Sequence, residues 1–333
     1  MRAIVTIITL VLGLAAFEDG SFAGESRNPV DIREWEIPAG GRSRDPFAST
    51  KDAVWFVGQS GDYLGRLNPG TGKIFIRELK DEPGPHNLIV GTDGMVWYSG
   101  NHDNYIGRYD PKSDQIEKIK LPDDIDDPHT LIFDRGEKNI WFTAQHANVM
   151  GRLSLSDRKI DIIPSPVASS RPYGIIIAPD GHVWVALFGT NRIAAVDPVT
   201  LKTTSYTLPD GARPRRIDVT GDGHVWYTDY RRGTLGRILP KSGALSEWRM
   251  PSGDDARPYG MAVDAENRVW FVETGVSPNQ FVGFEPKSGQ FFSVTPIPSG
   301  AGSVRHMHYH APTGQVWFGT DEDTIGRARV LKR

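Results

Sequence analysis

One tryptophan, set each time in an apolar strand, returns seven times along this chain: Trp55, Trp97, Trp141, Trp184, Trp226, Trp270 and Trp317, at intervals of 42, 44, 43, 42, 44 and 47 residues. A period of about 40–50 residues marks a supersecondary unit that cannot bury its apolar face alone and closes a core by stacking on copies of itself. Each unit reads alike. A short apolar strand such as Gly174–Ala178 comes first. A tight turn follows, often Asp-Gly as in Asp93-Gly94, Asp180-Gly181 and Asp222-Gly223, where glycine supplies the positive φ of a hairpin. The Trp strand is next, then a third strand carrying Gly-Arg: Gly65-Arg66, Gly107-Arg108, Gly151-Arg152, Gly236-Arg237 and Gly326-Arg327. A Pro-x-Ser-Gly turn at Pro240–Gly243 and Pro286–Gly289 leads into a fourth strand. No helical period competes with this pattern.

The two ends supply the closure. After Gly326-Arg327 the seventh unit has room for three strands only. Arg33–Pro38 matches the fourth strand of an earlier unit, Ser246–Pro251, so the N-terminal strand completes the last blade and hides the open sheet edges. The expected fold is all-β: a seven-bladed β-propeller of four-stranded antiparallel blades, one domain over residues 24–333.

Ahead of it, Arg2, an apolar run from Ala3 to Phe17, and the small residues Ser21 and Ala23 read as a signal peptide over residues 1–23. The run is short for a bilayer span, and a retained anchor is the alternative. Export to the periplasm or medium is the expectation, with no transmembrane segment after cleavage. The chain has no cysteine, which removes disulfides, thiolate metal sites and thiol nucleophiles. A net charge of −3 argues against a nucleic-acid groove.

Repeated residues are mostly architecture, so the seven Trp are read as packing and the Gly-Arg arginines as partners of backbone or of a carboxylate on the next blade. Chemistry is expected where the repeats differ. The first strand of a blade is innermost, and its start shares a face with the end of the Trp strand. The expected ring at one mouth of the channel is therefore Phe47, His86, His129, Tyr173, Arg215, Tyr259 and His306. Asp81, Glu82, Asp123, Asp124, Asp126 and Asp127 precede blades 2 and 3, while Arg171, Arg213 and Arg257 precede blades 4 to 6. A mouth with one basic half suits an anionic small molecule, held by His86, His129, Tyr173, Arg215, Tyr259 and Arg257. A solvated rim is the plainer reading of the same charges. His86, His129 and His306 with Asp321 could hold a divalent ion, or a histidine could be a general base. No phosphate loop, dinucleotide fingerprint, serine elbow or His-Glu-x-x-His is present, and no organic cofactor is expected.

Pro172-Tyr173-Gly174-Ile175, Trp-Phe in the second strand and Ile-Gly-Arg in the third are similar to the repeat of the streptogramin lyases, or virginiamycin B lyases, over essentially the whole mature chain. The resemblance implies a propeller lyase that opens the ester ring of type B streptogramins by elimination. A histidine takes the α-proton, and Mg²⁺ held by carboxylates polarises the substrate carbonyl. It places the catalytic His at His306 and the second acid, as metal ligand or orienting group, at Asp321. Val304-Arg305 stands where the family has Glu-Pro, Tyr259 where it has a His, and Phe47 where it has a Tyr. Two functions follow as expectations: a C–O lyase acting on a small ester-bearing or anionic substrate, or a non-enzymatic propeller that binds a ligand or a partner protein.

Overall fold

A computed structural model describes residues 16–17, 30–81 and 83–330. The signal-peptide reading of residues 1–23 lies outside them, apart from Ala16–Phe17, which run parallel to Ser246–Glu247 at the outer edge of the fifth sheet. Glu82 also lies outside. No helix among the described residues is long and apolar enough to cross a membrane.

Seven four-stranded antiparallel blades follow one another along the chain, and in the first six the strands run from inner to outer in sequence order. The inner strands are Ser43–Thr50, Pro85–Val90, Pro128–Phe133, Pro172–Ile177, Pro214–Val219, Pro258–Val263 and Met307–His310. Each inner strand touches those of the blades before and after it, and the last returns to the first. The outer strand of blade 7 is Val30–Glu36, paired antiparallel to Thr324–Val330 with Trp35 opposite Ile325. Glu34 fastens this closure by accepting from Ser299 N (2.8 Å), Ser299 Oγ (2.6 Å) and Thr324 Oγ1 (2.7 Å).

The repeat signature has a packing cause. In the five blades that carry Gly-Arg, the aromatic residue after the Trp lies cross-strand from that Gly: Phe56 to Gly65, Tyr98 to Gly107, Phe142 to Gly151, Tyr227 to Gly236 and Phe318 to Gly326. A Cβ at any of these glycines would sit 2.0–2.3 Å from the ring, so the aromatic residue excludes every side chain there. The arginine is opposite the Trp itself. Arg66, Arg108, Arg152 and Arg237 lie over Trp55, Trp97, Trp141 and Trp226 at 5.3–5.8 Å. The arginines are cation–π lids on their own blade, and the carboxylates they meet are on that blade and not the next: Glu117 for Arg108, Asp161 for Arg152 and Asp31 for Arg327. Arg152 also reaches the next blade, where its Nη1 donates to the Pro198 carbonyl (2.8 Å). All seven Trp are buried.

Candidate functional site

The ring at the mouth follows from strand register. Each repeat Trp faces one inner-strand residue: Phe47, Ile89, Ile132, Ile176, Asp218, Ala262 and His308. Three residues before these lies an upper tier: Arg44, His86, His129, Tyr173, Arg215, Tyr259 and Arg305. One step deeper lie Asp45, Asn87, Thr130, Gly174, Arg216, Gly260 and His306. Five members of the expected ring stand where they were placed, and two do not. Phe47 is deeper, with its ring stacked on His308 at 4.1 Å. His306 sits one step below the position taken by Arg305.

The reasons for the two displacements are local. In blade 1 Ser43 opens the ladder, where the inner strands of blades 2 to 6 open on a proline, and the proline of this strand, Pro46, stands three residues later. In blade 7 His308 and the Trp317 it faces are one residue further apart in sequence than the matching pairs of most blades, with Gly314 at positive φ in the turn between them. The same lengthening occurs in blade 3, at Glu137. Of the other histidines beside His306, His308 is taken up by Phe47, and His310 Nδ1 pairs with Thr313 Oγ1 at 2.8 Å in the turn.

Hydroxyls two residues past the Trp hold the tiers in place. Ser99, Thr143 and Thr228 donate to the carbonyls of His129, Tyr173 and Tyr259 on the following blade (2.9, 2.9 and 3.1 Å). They accept the amides of Asn87, Thr130 and Arg216 on their own blade (3.1, 3.3 and 3.3 Å). Each hydroxyl therefore satisfies one buried donor and one buried acceptor across a blade boundary. Where the next strand comes closer there is glycine: a Cβ on Gly319 would lie 2.7 Å from Arg44 Cα, and one on Gly174 would lie 2.6 Å from Arg215 O.

Side chains then converge. The rings of His86 and His129 are 3.9 Å apart and those of His129 and Tyr173 4.2 Å, lining one arc. The Tyr173 and Tyr259 hydroxyls meet in a short hydrogen bond. The Arg215 guanidinium is boxed by Tyr230 (3.9 Å), Phe188 (4.2 Å) and Tyr259 (4.5 Å). Arg216 crosses the centre from blade 5. Its Nε donates to Arg305 O on blade 7 (2.7 Å), its Nη1 to Thr130 Oγ1 on blade 3 (3.2 Å), and its Nη2 stands 3.9 Å from Asp45 on blade 1. Asp45 accepts from Arg44 Nε (3.1 Å) and Asn87 Nδ2 (3.0 Å). Arg44 Nη1 donates to Gln59 (2.7 Å). Arg257 stands apart: its side chain is exposed on the rim, and its carbonyl accepts from Thr274. Arg171 is likewise exposed.

The electrostatics follow from burial among these charges. Burial and the arginines Arg44 and Arg216 hold His86 well below the usual imidazole range. Burial, His86 and the same arginines do so for His129. His306 is pushed down to about 4, by burial first and then by Arg216, with Asp45 pulling the other way. All three rings are neutral near pH 7. Burial works against the Asp45 carboxylate, yet Arg44, His306, Arg216 and Asn87 hold it ionised below the usual range. Burial raises Tyr259, but Arg215, Arg216 and Arg44 outweigh it and bring the phenol below its ordinary value.

The donors for magnesium do not assemble. Asp321 faces the Arg305 guanidinium with both oxygens, Oδ1 to Nε at 3.2 Å and Oδ2 to Nη2 in a shorter bond. Among the described residues no three His, Asp or Glu side chains gather as a metal-binding group. A hard cation needs several free oxygens, and a guanidinium already fills the one carboxylate offered. Asp321 is corrected from metal ligand to partner of Arg305.

The family is shown by sequence, and the solved structures share the fold. The profile of the virginiamycin B lyase family matches residues 24–194 and 159–331. The solved virginiamycin B lyase from Staphylococcus aureus is 23% identical, with a TM-score of 0.81 over 91% of this chain and 100% of that one. A catalytically inactive histidine-to-alanine variant of that enzyme, solved with quinupristin, is 24% identical with the same TM-score and coverage. Kuenenia stuttgartiensis hydrazine synthase shares the fold at 14% identity and a TM-score of 0.70, covering 90% of this chain and 97% of that one. No curated protein matches in sequence.

Proposed function

The chain belongs to the virginiamycin B lyase family, and from that premise we propose that it is an exported C–O lyase acting on a small ester-bearing or anionic molecule at the mouth of the propeller. His306 is the base, without a metal ion. The observation that carries this is the state of His306. Its ring is neutral near pH 7, its Nδ1 has no hydrogen-bond partner, and it borders a group of guanidiniums. A neutral imidazole with a free nitrogen is the form that accepts a proton. In the elimination the α C–H pair becomes the new C=C bond. The C–O bond breaks with its electrons on the leaving carboxylate, and the proton rests on His306. The guanidiniums of Arg44, Arg216 and Arg305 supply the positive charge that a developing carboxylate needs. The arginine-led apolar segment at the N-terminus supports export as part of this reading.

The test is incubation of wild type and His306→Ala with quinupristin and with simpler β-acyloxy esters, followed by chromatography and mass spectrometry. Elimination opens a ring without changing its mass, whereas hydrolysis adds the mass of water. Ring opening by wild type and none by His306→Ala is expected. Equal rates for the two proteins, or a product heavier by one water, would contradict the assignment. One observation favours the second reading, a binding propeller: both oxygens of Asp321 are engaged by Arg305, so no acid stands free beside His306. Tight ligand binding without turnover is the outcome that reading predicts.

A further inference from the structure

Arg44 and Arg216 are 6% and 4% exposed, and between them they have one carboxylate, Asp45. Every other polar atom of the pair is satisfied by protein: Arg44 through Asp45 and Gln59, Arg216 through Arg305 O and Thr130. What remains is one Nη2 on each, with no hydrogen-bond acceptor. The Arg216 Nη2 reaches only a distant Asp45 oxygen, at 3.9 Å. Asp321 is spent on Arg305. Arg215 adds a further cation whose contacts are aromatic faces and whose Nε has no acceptor.

Buried guanidinium nitrogens without acceptors cost several kcal/mol in general unless a counter-charge reaches them. Here two such nitrogens belong to guanidiniums on blades 1 and 5 that share the carboxylate of Asp45, Arg44 through Nε at 3.1 Å and Arg216 through Nη2 at 3.9 Å. The same arginines bring the Tyr259 phenol below its ordinary value against the effect of its burial.

We propose that this tier is a carboxylate-binding site, in which Arg44 Nη2 and Arg216 Nη2 receive the two oxygens of an organic acid. A carboxylate offers two acceptors in one plane, which matches guanidinium donors better than a monatomic anion does. The body of the acid lies toward the mouth, against the arc of His86, His129 and Tyr173, so a flat, unsaturated or aromatic acid fits best. In an elimination the same pair takes the departing carboxylate, and that role alone rests on the function proposed above.

Thermal shift and calorimetric titration of the full-length mature chain test this with benzoate, acetate, benzamide, chloride and phosphate as probes. Benzoate is expected to raise the melting temperature saturably and to bind at least tenfold more tightly than acetate, with benzamide inert. Arg216→Met should remove the benzoate shift. Should that variant fail to fold, Asp45→Asn decides the matter: by deleting the competing negative charge it should lower the folding temperature yet tighten benzoate about tenfold. No saturable benzoate shift in wild type overturns the proposal, as does an equal shift with benzamide or an unchanged benzoate affinity in Asp45→Asn. Chloride or phosphate matching benzoate makes the site a general anion trap and overturns it too. A benzoate shift without ester turnover leaves the site standing and removes the lyase reading. Turnover without a shift does the reverse.

Discussion

The Arg305 guanidinium grips the Asp321 carboxylate at both oxygens, within one blade and at the rim of the channel. Both residues are a quarter exposed, so the pair is worth about 1 kcal/mol at most. Its consequence is chemical more than energetic. A positive charge carried by the fold stands where family resemblance had suggested a cation brought from solution.

Metal dependence should therefore be absent. Dialysis against EDTA is expected to leave the melting temperature and any ester turnover unchanged, and added Mg²⁺ should produce no saturable shift. A Mg²⁺-dependent stabilisation that disappears in Asp321→Asn would contradict the assignment.

Acid should loosen the protein before its carboxylates titrate fully. His306 is pushed down to about 4 and His308 to about 3, in both cases first by burial, against about 6.5 in an unfolded chain. Between those values the unfolded chain binds more protons than the folded one, so stability rises with pH. It is complete above about pH 6.5 and is lost as pH falls toward 4, each unit of separation weighing about 1.4 kcal/mol. Melting temperatures from pH 7.5 to 4.5 should fall accordingly, with a shallower slope for His308→Asn. Asp218, raised to about 7 by burial, works the other way over the same range, so the difference decides: coincident profiles for wild type and His308→Asn would refute the buried neutral ring.

The hydroxyl bridges should be costly to remove. Thr228→Val keeps the shape but strands the Arg216 amide and the Tyr259 carbonyl, two buried groups on different blades. The expected loss is about 1–3 kcal/mol by denaturant titration, since an unsatisfied buried polar group carries its full desolvation cost. Ser99→Ala should behave alike. A change under about 0.5 kcal/mol in both would mean the bridges contribute nothing.

The aromatic–glycine pairs should couple strongly. In Gly151→Ala the new methyl would lie 2.1 Å from the Phe142 ring, and overpacking of this kind costs about 1–3 kcal/mol. Phe142→Leu together with Gly151→Ala should lose less than the sum of the two single changes. Strict additivity would show that the ring does not dictate the glycine.

How much of this was legible in the sequence depends on what repeats. The Trp period, the Gly-Arg pairs and the match of Arg33–Pro38 to Ser246–Pro251 gave the seven blades and their closure, because each is imposed by packing in every copy. The site was half legible. His86, His129, Tyr173, Arg215 and Tyr259 came out at one mouth because their hairpins have ordinary lengths or a first-strand proline marks the register. Arg44 and Arg305 were missed. Blade 1 has Ser43 at the first ladder position and its proline three residues later, at Pro46, and blade 7 has one extra residue between His308 and Trp317, so the expected positions differ from the observed ones by three residues and by one. A signal did exist: Arg44 precedes Trp55 by eleven residues, as His86 precedes Trp97. The union of Arg44, Asp45 and Arg216 had no sequence signal, because it joins side chains from opposite sides of a ring.

A crystal of the mature protein soaked in benzoate measures the central claim most directly, that two arginines from opposite blades make a ligand site at this mouth. A carboxylate bridging Arg44 Nη2 and Arg216 Nη2 is expected, with its ring toward His86, His129 and Tyr173. Benzoate lodged on the outer rim arginines Arg171 and Arg257, with none bound to Arg44 and Arg216, would contradict it.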